Sequence, residues 1–396
     1  MAGKTRLRPR FFIILGVLAA CIIIISVCCR DSRVDTGDVK ETGSDQKINV
    51  SILCCGDLVM HEAVLEAAKT DNGYDFTKSF RYIEPYIKKA DLSFCSLEAP
   101  LVSGGYSGYP VFRSPDDLAT SLGDVGFDMA LTSSNHTFDA GEDGMFRTLK
   151  VLKKAGLKVA GSREKEDEPR YSMFEKDGVK VAVVSYVYGN GDRNSRDLNG
   201  NVLTENGRKL INTFGYDTFD EDLKQIKSTV TAARDAGAGI VIMYYHWGDE
   251  YITHSNAQQR SIAKKTAAGT DVDIIVGSHP HVVQERAETE GTTVYYAMGN
   301  LLSNQRREYM DGDVHPEEGV MIKLDAVYDK DKDELVSLKD TAIPYWEDMN
   351  GSGTGKYTLI PLTGDYKNNA ELKKSGHVKY AVQAKKNIEE ILKGEQ

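Results

Sequence analysis

The sequence predicts an α/β fold with buried, mostly parallel strands. Two observations lead to this prediction: short apolar runs alternate with amphipathic helical stretches, and several of those stretches end at a glycine. Alternating strands and helices are typical of parallel sheets that are covered by helices. With 396 residues, 41% of them hydrophobic, the chain is long enough for one large domain or two smaller ones.

The predicted strands share a short apolar core rich in β-branched and aromatic residues. In chain order they are INVSILCCG (48–56), ADLSFCSLEAP (90–100), FDMALTSSNH (127–136), VKVAVVSYV (179–187), AGIVIMYYHWG (238–248), VDIIVGSHPH (272–281) and TVYYAMGN (293–300). The predicted helices are 116–126, 144–156, 219–237 and 256–269. Residues 319–346 predict a hairpin with a charged turn, and the last 28 or so residues predict one surface helix.

The N-terminus predicts a membrane anchor. Four basic side chains lie in residues 1–10, and residues 11–29 contain no charge and are long enough to span a bilayer. The basic flank predicts a cytoplasmic tail at 1–10, a single span at 11–29 and an extracytoplasmic domain at 48–396. The polar residues 30–47 between span and domain predict a flexible linker. A cleaved signal peptide and a lipoprotein box ending at Cys21 are the alternatives, which would make the protein secreted or lipid-anchored.

Charge and cysteine content exclude two classes. The net charge of −10 argues against a nucleic-acid binder, whose contact surface is usually basic. Cys54, Cys55 and Cys95 are too few for a disulfide scaffold, so we expect buried free thiols. A Cys54–Cys95 bridge stays open as an alternative, although neighbouring strands give poor disulfide geometry.

Polar side chains repeatedly follow the carboxyl ends of the predicted strands, where α/β sheets bind ligands. They are Asp57, Glu98, Asn135, His136, His246, His279, His281 and Asn300. Each alone is more often a turn, cap or ordinary polar residue, as we expect for His61, His254, His315 and His377, although His61 and His254 lie near the predicted site. Together, imidazole, carboxylate and amide groups suit Mn, Fe or Zn, as one ion or two.

Seven motifs in this order resemble the poly-γ-glutamate capsule biosynthesis (CapA-type) family of the calcineurin-like metallophosphoesterase superfamily. They are GDLVM, SLEAPL, FRSP, SSNHTFDAG, HWGDEY, GSHPHVVQ and YAMGN, and they span about residues 50 to 305. The resemblance implies a four-layer α/β/β/α sandwich of two mixed sheets. Ser96, Ser134 and Val59 depart from the expected patterns; the wider superfamily has a metal-binding histidine where this chain has Val59.

The resemblance also implies residue roles. The expected metal ligands are Asp57, Glu98, Asn135, His246, His279 and His281. His136 is the expected catalytic residue, oriented by Asp139, although Asp139 alone would read as a helix cap. Arg113, Glu250 and Asn300 are the expected substrate-binding residues.

These features predict a membrane-anchored extracytoplasmic protein of capsule polymer biosynthesis or export, which hydrolyses an anionic envelope polymer such as poly-γ-glutamate. The sequence has no Gly-x4-Gly-Lys-[Ser/Thr] loop, so an ATP-driven step would come from membrane-bound synthase or exporter subunits. A non-catalytic subunit with a vestigial metal site and a small-substrate phosphoesterase are the alternatives. The glycine-rich loop at 188–210 is either a lid or a disordered surface loop.

Overall fold

The computed structural model describes residues 47–394, whose strands form two large mixed sheets. The strands are β1 (Lys47–Leu58), β2 (Lys69–Thr70), β3 (Gly73–Tyr74), β4 (Leu92–Leu97), β5 (Met129–Leu131), β6 (Lys158–Ala160), β7 (Ser172–Lys176), β8 (Val179–Tyr188), β9 (Asp197–Leu198), β10 (Asn201–Val202), β11 (Thr213–Phe214), β12 (Ala238–His246), β13 (Ile274–Ser278), β14 (Arg286–Thr289), β15 (Thr292–Tyr295), β16 (Asn300–Leu302), β17 (Glu318–Asp329), β18 (Glu334–Met349) and β19 (Tyr357–Pro361).

The helices lie between the strands and at the C-terminal end. They are α1 (Glu62–Ala68), α2 (Thr77–Phe80), α3 (Glu84–Lys89), α4 (Asp117–Val125), α5 (Gly141–Lys154), α6 (Glu205–Leu210), α7 (Phe219–Asp235), α8 (Ala257–Gly269), α9 (Ala370–Ser375) and α10 (Val378–Ile391). Short 3-10 helices lie at His315–Glu317, Gly353–Gly355 and Tyr366–Asn368.

Each sheet combines parallel and antiparallel pairs. The first sheet has the order β19-β18-β17-β1-β4-β5-β6, with β16 beside the end of β1. Its strands β1, β4, β5 and β6 are parallel, whereas β17, β18 and β19 are antiparallel additions. The second sheet has the order β11-β8-β12-β13-β15-β14, with β7 antiparallel to β8. The mixed α/β fold predicted from the sequence is confirmed.

The hydrophobic core is layered because side chains alternate along each strand. Ile52 of the first sheet and Val183 of the second belong to one cluster between the sheets. Leu53, on the other face of β1, packs with α1 to α5. Val184, on the other face of β8, packs with α7 and α8. The layers therefore run helices, sheet, sheet, helices.

The three cysteines of the described residues are buried free thiols, as the sequence predicts. Cys54 faces the core between the sheets, whereas Cys95 faces the helical layer. The two side chains point to opposite faces of the first sheet, so the Cys54–Cys95 disulfide left open above is not formed.

The C-terminal segment corrects one prediction and agrees with another. The expected hairpin is present as β17 and β18. The single expected surface helix is instead two helices, α9 and α10, because Gly376 adopts the left-handed conformation (φ 75°) that ends α9. His377 then turns its Nδ1 to Asp348 Oδ1 at 2.6 Å, which fixes the break.

The predicted tail at 1–10, the anchor at 11–29 and nearly all of the linker at 30–47 lie outside the described residues. Within residues 47–394, no helix is both long and apolar enough to cross a bilayer.

A buried carboxyl group supports the segment that follows β16. Glu347 Oε1 accepts a hydrogen bond from the Ser303 backbone N–H at 3.2 Å, while Oε2 has no hydrogen-bond partner. Burial raises the pKa of Glu347 from 4.5 to about 8, although the nearby Arg306 opposes the shift.

Replacing Glu347 with glutamine is expected to stabilise the chain more as pH rises. Between 4.5 and about 8, Glu347 is protonated in the folded chain and ionised in the unfolded chain. Its contribution is fully present below 4.5 and is lost by about 1.4 kcal/mol per pH unit as pH approaches 8. Urea unfolding of both chains on the acidic and alkaline sides of this window measures the effect. A pH-independent difference would refute the assignment.

Candidate metal centre

The carboxyl ends of strands from both sheets meet at one place. Asp57 on β1 pairs with Asn300 on β16 and with Ser96 on β4, just before Glu98. The eight strand-end candidates are all at most 5% exposed: Asp57, Glu98, Asn135, His136, His246, His279, His281 and Asn300. These side chains are buried where the carboxyl ends of the two sheets meet. This is the place at which the strand-end pattern predicts a shared ligand site.

Three overlapping groups of side chains can each share one metal ion. In each group the ligand atoms lie within 4.8 Å of one another; the groups are Glu98–His246–His279, Asp57–Glu98–His281 and Glu250–His279–His281. Glu98, His279 and His281 each belong to two groups. Groups that overlap in this way would suit one ion or a pair of neighbouring ions.

The donor atoms fit a divalent cation. Both carboxylate oxygens of Glu98 and Nδ1 of His279 are buried without a hydrogen-bond partner, although Glu98 Oε1 lies 2.7 Å from Nε2 of His246. Burial, reinforced by Asp57, raises the pKa of Glu98 to about 8, and burial lowers the pKa of His246 to about 4. Unpartnered oxygens and neutral imidazoles are costly in a core unless a cation receives their lone pairs.

Hydrogen bonds fix the orientation of the donors. Asp57 Oδ2 accepts from the His279 backbone N–H at 3.0 Å, and Asn135 Oδ1 lies 2.9 Å from His246 Nε2. Asn300 Oδ1 lies 3.0 Å from Nδ1 of His281, which leaves Nε2 of that ring for an ion.

The side chain of Asn300 is fully committed to the protein. Its Nδ2 donates to the carbonyls of His281 and Pro316 and to Oε1 of Gln305, at 3.2, 3.1 and 2.8 Å. These contacts place Asn300 beside His281, and its role in substrate binding stays a prediction. Residues in this position fix the tautomer of a ligating histidine.

Replacing Asn300 with alanine is expected to weaken divalent-metal affinity by about 10–100-fold, because His281 loses the partner that fixes its ring. Isothermal titration of the full-length chain with Zn²⁺ measures the change. Asn304→Ala is the matched control, since the Asn304 side chain bonds Tyr357 outside the cluster. Equal affinities in the two variants would remove Asn300 from the site.

His136 and Asp139 form a hydrogen-bonded pair beside the cluster. Nδ1 of His136 lies 2.8 Å from Oδ2 of Asp139, which also accepts the Phe112 backbone N–H at 2.8 Å. The Phe112 ring packs edge-on against His136 with centroids 4.6 Å apart. Asp139 is not the helix cap, because α5 has Ala140 at that position. The pair leaves Nε2 of His136 available for proton transfer.

Two residues near His136 were not predicted as site residues. Asn199 Nδ2 lies 3.4 Å from His136 Nδ1, and the ring of His61 packs against Phe112 with centroids 5.4 Å apart. No local pattern marks Asn199. Its loop is an ordered hairpin of β9 and β10, held by buried Arg196, which pairs with Asp222 at 3.1 Å. The loop at 188–210 thus contains a short hairpin, and whether it acts as a lid stays a prediction.

The structure does not bring Arg113 into the cluster. Its Nε donates to the Gly105 carbonyl at 3.0 Å, and within residues 47–394 it forms no hydrogen bond or ion pair with the cluster. Glu250 does join the cluster, as a metal-ligand candidate. His315 and His377 pair with Glu318 and Asp348, outside the site as expected.

Fold and site together define a two-sheet α/β protein with a histidine–carboxylate centre suited to divalent metal. The family described as "Bacterial capsule synthesis protein PGA_cap" matches residues 51–305, so the chain belongs to this family. The resemblance to the CapA-type family drawn from the seven motifs is confirmed.

Two curated relatives are named as capsule or PGA biosynthesis proteins. The chain is similar to "Capsule biosynthesis protein CapA" of Bacillus anthracis, with 26% identity over 306 residues, covering 75% of this chain and 69% of that protein. It is similar to "PGA biosynthesis protein CapA" of Bacillus subtilis (strain 168), with 28% identity over 281 residues, covering 69% of this chain and 67% of that protein.

Solved structures with a similar fold include two from bacteria. One is NAD nucleotidase (NadN) of Haemophilus influenzae, with a TM-score of 0.46 and 15% identity, covering 87% of this chain and 61% of that chain. The other is calcineurin-like phosphoesterase YfkN from Bacillus subtilis, with a TM-score of 0.45 and 15% identity, covering 85% of this chain and 99% of that chain.

Proposed function

We propose that this chain is a membrane-anchored, extracytoplasmic protein of capsule polymer biosynthesis or export, and that its metal centre hydrolyses an anionic envelope polymer, poly-γ-glutamate. The observation that carries the hydrolytic part is the juxtaposition of overlapping metal-donor groups with the His136–Asp139 pair. Family membership supports the polymer, and the apolar segment at 11–29 supports the anchor.

The chain's own residues divide the chemistry. The residues that would hold Mn, Fe or Zn are Asp57, Glu98, Asn135, His246, His279 and His281. When bound, a divalent ion supplies Lewis-acid activation of water and of the scissile group. Asp139 holds Nδ1–H of His136, so Nε2 can carry a proton to the leaving group. Tyr188, whose ring centroid is 4.9 Å from that of His279, walls the centre against bulk water.

The proposal assigns energy coupling to other proteins. The 396 residues contain no phosphate-binding Gly-x4-Gly-Lys-[Ser/Thr] loop, so ATP-driven polymerisation or export belongs to membrane-bound partner subunits. The role of this chain is then to trim, release or transfer polymer at the outer face of the membrane.

Cells that lack their own copy of this gene provide the test. Full-length wild type or His136→Ala is supplied at equal protein level, and poly-γ-glutamate yield and chain length are measured. The proposal predicts altered yield or length with His136→Ala. If that variant restores normal polymer while the empty strain makes none, the chain acts as a non-catalytic subunit. Hydrolysis of bis(p-nitrophenyl) phosphate without any polymer change would instead favour a small-substrate phosphoesterase.

A further inference from the structure

Glu250 stands apart from the strand-end ligands. It lies on the turn after β12, is exposed at the surface, and its carboxylate lies within 4.8 Å of ligand nitrogens of His279 and His281. Among the carboxylates of the donor groups it is the exposed one, whereas Asp57 and Glu98 are fully buried. Glu250 therefore approaches the two histidines from the solvent side.

The turn that carries Glu250 is fastened to the segment that carries both histidines. On one side, the Trp247 backbone N–H donates to the Ser278 carbonyl at 3.1 Å; on the other, the Tyr251 N–H donates to the Pro280 carbonyl at 2.8 Å. Glu250 sits between these two bonds, so its backbone is held beside the segment that carries both histidines.

The conformation of the turn requires its residues. Gly248 has φ 96°, and a Cβ there would lie 2.7 Å from the Gln259 side chain. Tyr251 also adopts a positive φ of 63°, and its hydroxyl accepts a hydrogen bond from Gln305 at 2.9 Å. A positive φ at a residue other than glycine is backbone strain, which persists where the surroundings hold a side chain in a required place.

Each of the two histidines still has a ring nitrogen that could bind an ion. Nδ1 of His281 is taken by Asn300, which leaves its Nε2, and Nδ1 of His279 is buried with no partner. A carboxylate and two imidazoles are a common ligand set for catalytic Zn²⁺ and also suit Mn²⁺ and Fe²⁺.

We propose that Glu250 is a metal ligand, which closes the solvent side of the ion held by His279 and His281. The inference rests on the proposed metal-dependent function and replaces the expected role of Glu250 in substrate binding. It makes the HWGDEY motif supply two ligands, His246 from the end of β12 and Glu250 from the turn that follows.

Mn²⁺ titration of the full-length chain tests this ligand, with the electron paramagnetic resonance signal of free Mn²⁺ as the readout. Glu250→Gln is expected to weaken the binding of one Mn²⁺ by at least about tenfold while leaving the thermal unfolding of the metal-free chain unchanged. Asp249→Asn is the matched control: it removes the neighbouring carboxylate, which bonds Asn256 Nδ2 at 2.8 Å, and should bind Mn²⁺ like wild type.

The outcomes separate this proposal from the wider one. If Glu250→Gln and wild type bind Mn²⁺ with the same stoichiometry and affinity, Glu250 is not a ligand, while the metal-dependent function survives. If wild type binds no Mn²⁺, and a parallel Zn²⁺ titration also shows no binding, both proposals fall. Equal weakening by Asp249→Asn would point to a general charge effect and would also overturn the ligand assignment.

Discussion

Replacing Glu98 with glutamine is expected to abolish tight divalent-metal binding and to reduce metal-dependent activity to background. Glu98 belongs to two of the three donor groups, so one substitution weakens both ion positions. Its two oxygens are buried without a hydrogen-bond partner, although Oε1 lies 2.7 Å from Nε2 of His246, and the amide that replaces the carboxylate is a neutral, poorer ligand. Within residues 47–394, Glu98 is the one carboxylate that belongs to two groups, because the other shared ligands, His279 and His281, are imidazoles.

Metal content and folding together measure this effect. Isothermal titration with Zn²⁺ gives affinity, and urea unfolding of the metal-free chains gives stability. Glu98→Gln should be at least as stable as wild type without metal, because it removes a buried carboxyl group whose pKa is raised to about 8. Asp273→Asn is the control. Asp273 lies just before β13, at the end of that strand away from His279, and its Oδ2 accepts a hydrogen bond from Arg234 Nη2 at 2.7 Å. If Glu98→Gln binds Zn²⁺ as tightly as wild type, Glu98 is not a ligand that two ion positions share.

Replacing His136 with alanine is expected to lower turnover by about 10²–10⁴-fold while leaving metal content unchanged. His136 is not part of a donor group, and its Nδ1 is engaged by Asp139. Asp139→Asn should lower turnover as well, because an amide no longer selects the tautomer that leaves Nε2 free for proton transfer. Cleavage of poly-γ-glutamate by the full-length chain and bound metal per chain are the two readouts.

The chain offers a close control for this dyad. His315 and Glu318 form a histidine–carboxylate pair with the same sequence spacing and the same 2.8 Å distance, outside the cluster. His315→Ala should leave turnover unchanged. If His136→Ala loses metal, then His136 is a ligand; if it keeps full turnover, the proton transfer is carried elsewhere.

The polar residues at the strand ends can be predicted from the sequence because each strand and the residue that follows it are adjacent in the chain. A short, nearly continuous apolar run followed by a polar residue indicates both the strand and the end at which that residue lies, as for Asp57 and His246. The sequence does not show that these two strands belong to different sheets that face each other, which depends on long-range packing between Ile52 and Val183.

The roles of Asn199 and Asn300 were beyond sequence reasoning for a similar reason. Asn199 reaches His136 from 63 positions along the chain, through a hairpin whose anchor is the buried Arg196. Asn300 follows a strand-like run, as a substrate ligand would, yet its amide turns inward to His281. The direction of such a side chain is set by tertiary hydrogen bonds, which the periodicity of the sequence does not predict.

The break between α9 and α10 can be predicted from the sequence. Gly376 interrupts an otherwise helical pattern, and glycine there is a helix stop. The amphipathic spacing on both sides masks it, because Leu372 and Ala381 pack into the same core cluster. Both helices therefore bury apolar side chains in the same cluster, so the apolar pattern predicts one helix where there are two.

Anomalous diffraction from crystals of the full-length chain, grown with Mn²⁺ and measured at two wavelengths that bracket its absorption edge, tests the metal centre most directly. The account predicts one or two Mn²⁺ peaks among Asp57, Glu98, His246, His279 and His281, at coordination distance from their donor atoms. No peak in this cluster, with Mn²⁺ in large excess and the side chains arranged as described, would contradict it.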